Sequence, residues 1–249
     1  MQLADSKKII TGAGAGFGKN MALHFAVHNA QIYAIDINEK ALNQLKTENS
    51  TIQTFVCDVT DCDKVEQVIN DIFLSDNKTN ILINNAGIMK NAPLINMMQR
   101  PDCKHNVDLW HQVININQHA VFYTTRAFAD QMIKKRNKGV IINISSIAAS
   151  GNAGQTAYSA SKAAVEAMTK VWSKELGVFG IRSVAVSPGF IDTASTHDVL
   201  EDKMLNKWIE QTPLKRTGKI HEVVSTVQFV IENDFINGEV INVNGGLKI

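Results

Sequence analysis

Tyr158 and Lys162 stand four positions apart, in the stretch Tyr158-Ser159-Ala160-Ser161-Lys162. On a helix that spacing puts both side chains on one face, one turn from each other. A tyrosine hydroxyl can give and take a proton, but its ordinary pKa is about 10. A cation about 4 Å from the phenolate, at an effective dielectric near 20, contributes roughly 4 kcal/mol. That is about three pKa units at about 1.4 kcal/mol each, enough to bring the tyrosine toward neutrality, where an acid–base group works best. The pair alone is weak, because a solvated amphipathic helix shows the same spacing often. Its meaning depends on its surroundings.

The second chemical feature is a glycine-rich string, Thr11-Gly12-Ala13-Gly14-Ala15-Gly16-Phe17-Gly18, between a short apolar run and a helical pattern. Glycines there permit a tight turn, close approach of the backbone to a pyrophosphate, and close packing of helix on strand. The helix N-terminus then offers free N–H groups and partial positive charge. Gly12, Ala15, Gly16, Phe17 and Gly18 are therefore candidate contacts for a dinucleotide. Asp36 ends the next apolar run, where an acidic side chain accepts hydrogen bonds from an adenosine ribose. The same carboxylate repels a 2′-phosphate, and Ile37 follows where a phosphate-binding site would often place an arginine. The pair Asp36–Ile37 points to NAD rather than NADP.

These residues need a scaffold, and the pattern supplies one. Apolar runs at Lys8–Thr11, Ile32–Asp36, Ile52–Val56, Ile81–Asn84, Val140–Ile144, Val184–Val186 and Val240–Val243 are short and continuous, as strands buried on both faces should be. Helical patterns lie between them; Val165, Met168, Trp172 and Leu176 share one face. Strand–helix alternation implies parallel strands and right-handed crossovers. The expectation is an α/β, Rossmann-type doubly wound parallel sheet of about seven strands, with helices on both faces. No linker or repeat interrupts it, so residues 1–249 read as a single dinucleotide-binding catalytic domain.

Composition excludes several other classes. The formal net charge is +1, and Lys134-Lys135-Arg136 reads as a solvated helix end, so no nucleic-acid partner is expected. Cys57, Cys62 and Cys103 have neither disulfide nor zinc spacing, and the seven histidines show no ligand pattern, so no metal is expected. No apolar run has the length of a signal peptide or a membrane span. The expected location is the cytoplasm.

Five motifs in order resemble the short, single-domain branch of the short-chain dehydrogenase/reductase family: Thr11 to Gly18, Asn84-Asn85-Ala86-Gly87, Tyr158 to Lys162, Pro188-Gly189 with Ile191 and Thr193, and Gly245-Gly246. The resemblance implies hydride transfer between a nicotinamide and a secondary alcohol or ketone. It implies Asp58 and Val59 near the adenine, Asn85, Ala86 and Gly87 along its ribose, and Pro188, Gly189, Ile191 and Thr193 at the nicotinamide and pyrophosphate. It makes Asn117, Ser146, Tyr158 and Lys162 the catalytic set. In it Tyr158 protonates the alkoxide, Ser146 hydrogen-bonds the oxyanion, Lys162 holds the nicotinamide ribose and Asn117 positions a water. Ser145 is the rival serine, since it restores the usual distance to Tyr158; Ser146 is preferred for its place at the strand end.

In detail the chain is most similar to 3-oxoacyl-[acyl-carrier-protein] reductases, through Gly151-Asn152-Ala153-Gly154-Gln155, Pro213-Leu214-Lys215-Arg216 and Asn237-Gly238-Glu239-Val240. Those enzymes generally use NADPH, against the reading of Asp36. They also dock an acidic carrier on basic residues, for which Arg136 is one candidate while Phe179 replaces the other. The segment 90–108 is longer than usual. Met89, Ile147, Phe190, Met204 and Trp208 are candidates for contacts with an apolar substrate. Three readings follow: an NAD(H)-linked alcohol or ketone oxidoreductase, with 3-oxoacyl or 3-hydroxyacyl compounds among its candidate substrates, an NADPH-dependent 3-oxoacyl reductase, and a redox-inactive dinucleotide sensor. The resemblance further implies a homotetramer, joined through the helix after Asn117 and the helix carrying Tyr158, with Phe122, Phe128, Val165 and Trp172 as apolar cover.

Overall fold

A computed structural model describes residues 2–4, 6–99, 101–193 and 202–249, the side chains of 202–206 excepted. Seven strands form one sheet, all pairs parallel: β1 (Lys7–Thr11), β2 (Gln31–Asp36), β3 (Gln53–Val56), β4 (Ile81–Asn84), β5 (Gly139–Ile144), β6 (Ile181–Pro188) and β7 (Val240–Val243). Their order is β3-β2-β1-β4-β5-β6-β7. The chain winds outward from β1 to β3, then returns and winds the other way from β4. The crevice at that reversal, between β1 and β4, is where such sheets receive ligands.

The helices are α1 (Gly16–Val27), α2 (Glu39–Glu48), α3 (Cys62–Ser75), α4 (Val107–Ile114), α5 (Ala120–Lys135), α6 (Thr156–Glu175), α7 (Asp202–Gln211) and α8 (Ile220–Glu232). Alternation along the strands builds two cores. Ile10, Ile32 and Ala34 face Met21 and Phe25 of α1 and Val227 of α8. Ile9, Tyr33 and Ile35 face Ile69 and Ile72 of α3 and Phe128 of α5. Each fully buried aliphatic or aromatic side chain contributes about 1.5–3 kcal/mol.

All seven expected strands are present, with two differences. β3 and β7 are the edge strands, with Gln53 and Val56 exposed on the first and no residue fully buried on the second, so neither apolar run is buried on both faces. β6 spans eight residues rather than the three of Val184–Val186, and every one is buried. The polar Arg182 and Ser183 hide its start. Arg182 is tolerated because its guanidinium donates to the carbonyls of Val230 (3.0 Å), Ile236 (3.0 Å) and Ile231 (3.2 Å). The expected interface residues divide. Phe128 and Val165 are buried inside the chain's own fold, whereas Phe122 is 46% exposed.

A polar chain crosses the second core under the crevice. Thr124 donates to Asn84 (2.6 Å), Asn84 to Asn143 (2.8 Å) and Asn143 to Thr169 (2.9 Å). It ties α5, β4, β5 and α6 together with its polar atoms satisfied, which fixes their relative placement.

Candidate active site

A cleft of about 360 Å³ opens at the carboxyl ends of the central strands. Its lining contains Gly12, Ala15, Gly16, Phe17, Asp36, Asn85, Ala86, Gly87, Ser145, Ser146, Tyr158, Lys162, Pro188, Gly189, Ile191 and Thr193. Residues from opposite ends of the sequence thus meet because β1, β4, β5 and β6 deliver their C-terminal loops to one edge. Gly18, Ile37, Asp58, Val59 and Asn117 lie outside that lining.

The glycine turn is packed against its neighbours. A Cβ on Gly12 would stand 2.7 Å from the Ala86 Cα, and one on Gly18 would stand 2.1 Å from the Gly12 carbonyl oxygen. Asn85 braces the turn, its side-chain amide donating to the carbonyls of Thr11 (3.1 Å) and Gly12 (3.0 Å). No side chain caps the N-terminus of α1, and its first turn holds no acidic residue. Its free N–H groups therefore face the cleft and suit a pyrophosphate.

Asp36 closes this end of the cleft. Its carboxylate accepts from the backbone N–H groups of Gly14 (2.8 Å) and Asn38 (2.9 Å). Each oxygen retains acceptor capacity for a diol. Ile37 is 67% exposed and brings no charge. The nearby cation on α1, Lys19, pairs with Glu48 at 2.7 Å. The residues present therefore fit an adenosine ribose with free hydroxyls. Asp58 turns one carboxylate oxygen back to the Thr60 N–H (2.9 Å) and hydroxyl (2.7 Å), and Val59 is buried.

At the other end, α6 and the end of β5 bring the reactive groups together. Ser146 and Tyr158 both line the cleft, the Ser146 Oγ accepting from the Ala148 N–H at 3.2 Å, while Ser145 turns away to Glu166 Oε1 at 2.8 Å. The geometry thus favours Ser146 over Ser145. Lys162 Nζ donates to the Ile144 carbonyl at 2.7 Å and lies 5.9 Å from the centre of the Tyr158 ring. Burial lowers Lys162 to about 8. Burial raises Tyr158, and the hydrogen bond from Ser146 opposes that rise. Desolvation penalises the charged form of both groups, and the Ser146 hydroxyl is what favours the phenolate here.

Asn117 is fully buried on a π-helical segment, Asn115–His119, inserted between α4 and α5. Such single-turn bulges recur at functional sites. Its side chain accepts from the Ile88 N–H (2.8 Å) and donates to the Ile88 carbonyl (2.9 Å) and to Ser161 Oγ (3.2 Å). That leaves the carboxamide no spare donor, so its direct effect is to hold Ile88 against the cleft.

Several lining residues carried little sequence signal. Ile88, Asn152, Gln155 and Ile249 line the cleft beside Met89, Ile147, Ala148 and Phe190. Gln155 precedes Tyr158 by three residues, a helical spacing that hints at it; nothing in the pattern points to Ile249. Phe190 stacks on Trp208 with ring centres 4.9 Å apart. Met204 lies outside the described side chains. The long segment folds back on itself, with Ile95 bridged to Lys104, and its base is held by Gln155 donating to Asn91 at 2.9 Å. Among the described residues no cluster of His, Cys, Asp or Glu could hold a metal ion, and no helix is long and apolar enough to cross a membrane.

A doubly wound sheet with an uncapped helix over a glycine turn makes a candidate dinucleotide site, and the tyrosine, serine and lysine beside it make a candidate proton-transfer site. A family model described as Enoyl-(Acyl carrier protein) reductase matches residues 12–248. The chain belongs to the short-chain dehydrogenase/reductase family, oxidoreductases that act on CH–OH groups with a nicotinamide dinucleotide. It is 38% identical to the 3-oxoacyl-[acyl-carrier-protein] reductase FabG of Thermotoga maritima, over the full length of both chains. It is 34% identical to the protein of the same name from Chlamydia trachomatis, covering 98% of each. A crystal structure of a short chain dehydrogenase from Bacillus anthracis superposes with a TM-score of 0.88 at 30% identity, covering 98% of this chain and 97% of the other.

Proposed function

We propose that the protein interconverts 3-oxoacyl and 3-hydroxyacyl thioesters, with NAD(H) as the preferred cofactor. The substrate reading rests on full-length similarity to 3-oxoacyl reductases. The single observation that carries the cofactor reading is the Asp36 carboxylate, held by two backbone N–H groups at the cleft's end and in no ion pair among the described residues. Gly12, Ala15, Gly16, Phe17 and Gly18 would hold the pyrophosphate, and Asn85, Ala86 and Gly87 the adenosine side. Pro188, Gly189, Ile191 and Thr193 would hold the nicotinamide end, with Asp58 and Val59 near the adenine.

When bound, the nicotinamide gives or takes the hydride. The chain's own residues manage the oxygen and its proton. Ser146 donates to the substrate oxygen as negative charge develops there. Tyr158 gives its proton to the alkoxide in reduction and recovers one in oxidation. Lys162, anchored on Ile144, holds the ribose next to the phenol. Asn117 fixes the Ile88 backbone that forms the facing wall.

The test is turnover followed at 340 nm with acetoacetyl thioester, a 2-enoyl thioester and simple ketones, each with NADH and NADPH. The proposal expects the 3-oxoacyl thioester with NADH to be the best pair. Faster reduction of the enoyl thioester, or of ketones lacking a thioester, would replace the substrate reading. We further infer a cytoplasmic homotetramer, in which Phe122 on α5 and Val171 on α6, 46% and 49% exposed, are covered.

A further inference from the structure

Three consecutive residues at the end of β5 engage three turns of α6. The Ile144 carbonyl accepts from Lys162 Nζ at 2.7 Å, Ser145 Oγ donates to Glu166 Oε1 at 2.8 Å, and Ser146 lines the same cleft as Tyr158. Tyr158, Lys162 and Glu166 lie at four-residue spacing on one face of α6, so the strand end is clasped along the length of that face. Glu166 is absent from the catalytic set, and among the described residues it makes no ion pair. Ser145 supplies its hydrogen bond, from a position only 3% exposed.

We propose that Glu166 is a positioning residue for the reaction: through Ser145 it holds the end of β5 so that the Ser146 hydroxyl, and no other, faces Tyr158.

The backbone explains how the effect is passed on. The Ser145 N–H is tied to the Val186 carbonyl of β6 at 2.8 Å, and Ser146 is extended, with φ −162° and ψ 151°. Anchoring Ser145 on Glu166 therefore fixes the backbone from which Ser146 projects, and with it the direction of the Ser146 hydroxyl. The anchor also removes a competing donor, because a free Ser145 hydroxyl beside the cleft could take the substrate oxygen in a non-productive pose. A carboxylate makes a firmer anchor than a neutral acceptor, since charge-assisted hydrogen bonds are roughly twice as strong.

The inference rests on the roles proposed for Ser146 and Tyr158 and holds whichever ketone is the substrate. Its test uses the full-length enzyme and compares Ser145→Ala, Glu166→Ala, the double variant and Glu166→Gln. Dinucleotide affinity is measured by fluorescence titration, which also shows that each variant is folded. The expected result is a fall in kcat of about tenfold for each single variant, with KM and dinucleotide affinity within about twofold of wild type. The double variant should be no worse than the weaker single variant by more than about twofold, because both remove one interaction. Glu166→Gln, which retains an acceptor, should recover a large part of the rate lost in Glu166→Ala. In alcohol oxidation the rising limb of the pH profile should move alkaline by about half a unit, since Tyr158 loses a hydrogen bond that favours its phenolate.

If Ser145→Ala keeps kcat within about twofold of wild type, the clasp has no kinetic role and the proposal falls. Losses that multiply in the double variant, or a rate loss matched by lost dinucleotide affinity with an unmoved pH limb, also overturn it. Should Glu166→Ala fail to fold, Ser145→Ala decides alone. Ser146→Ala serves as the separate control: if it retains full turnover, the roles assigned to Ser146 and Tyr158 fail first.

Discussion

The chemistry of this site depends on how three side chains share one buried place. Tyr158 is pushed up by burial and drawn down by Ser146, and Lys162 is brought by burial to about 8. Tyr158→Phe keeps the ring and removes the proton donor. It should lower kcat by at least about a thousandfold while dinucleotide affinity changes little; retention of more than a few per cent of the rate would exclude Tyr158 as the acid–base group. At the other end of the cleft, Asp36 should set the cofactor. A ribose diol gains one or two charge-assisted bonds from it, each worth roughly 1.5–3 kcal/mol. A 2′-phosphate loses them and brings a charge of about −1.5 to −2 toward a carboxylate. NADH should exceed NADPH by more than about a hundredfold in kcat/KM. Asp36→Ala should narrow that ratio, and adding Ile37→Arg should shift it toward NADPH, because arginine pairs with phosphate in a bidentate way. Steady-state kinetics with both cofactors decide the matter, and parity within about fivefold would remove Asp36 from the role.

Among the elements, β1 combines the central position with an unusual side chain. Lys8 is fully buried, and among the described residues its side-chain nitrogen meets the Ser6 hydroxyl and the face of Phe25, 4.9 Å from the ring centre. Burial lowers it from 10.5 to about 7. Between those values the unfolded chain holds a proton that the folded chain has released, so stability rises with pH across that window. Below about 7 the folded protein must carry a buried charge and the full penalty applies. Urea unfolding at pH 6.5 and 9.5 should therefore show greater stability at the higher pH from this group. Lys8→Met should raise stability at pH 6.5 by about 2 kcal/mol, because a buried charge gives way to an apolar side chain of similar length. It should also flatten the pH slope. An unchanged slope in the variant would mean that Lys8 stays charged in the fold.

At the scale of the whole molecule, the apolar surface left over matters most. Phe128 and Val165 are spent on the interior, but Phe122 and Ile133 of α5 and Val171 of α6 remain at least a third exposed. Residues of that kind on two neighbouring helices are suited to cover by a second copy. Light scattering at micromolar concentration should give the mass of a tetramer, and a monomer mass would rule the assembly out. Replacing Phe122 and Val171 by Asp together should shift the population to smaller species.

The amino-acid order alone determined the architecture, because strands buried on both faces must be continuously apolar and their alternation with helices leaves few topologies. It also marked the glycine turn, Asp36 and the Tyr158–Lys162 pair, since each needs residue types that few other contexts demand at that spacing. β6 was only partly legible: a buried arginine reads as a break until the carbonyls that satisfy it are known. Likewise Phe128 and Val165 looked like surface until the packing of α5 and α6 placed them inside. The choice of Ser146 was made in the sequence from its place at the strand end, but only tertiary structure showed that Ser145 is engaged elsewhere, on Glu166. Tertiary structure also decided that Asn117 ties Ile88 to Ser161, that Ile249 reaches the cleft, and that Glu166 grips Ser145. All of these depend on contacts between residues far apart in the chain, and periodicity carries no record of such distances.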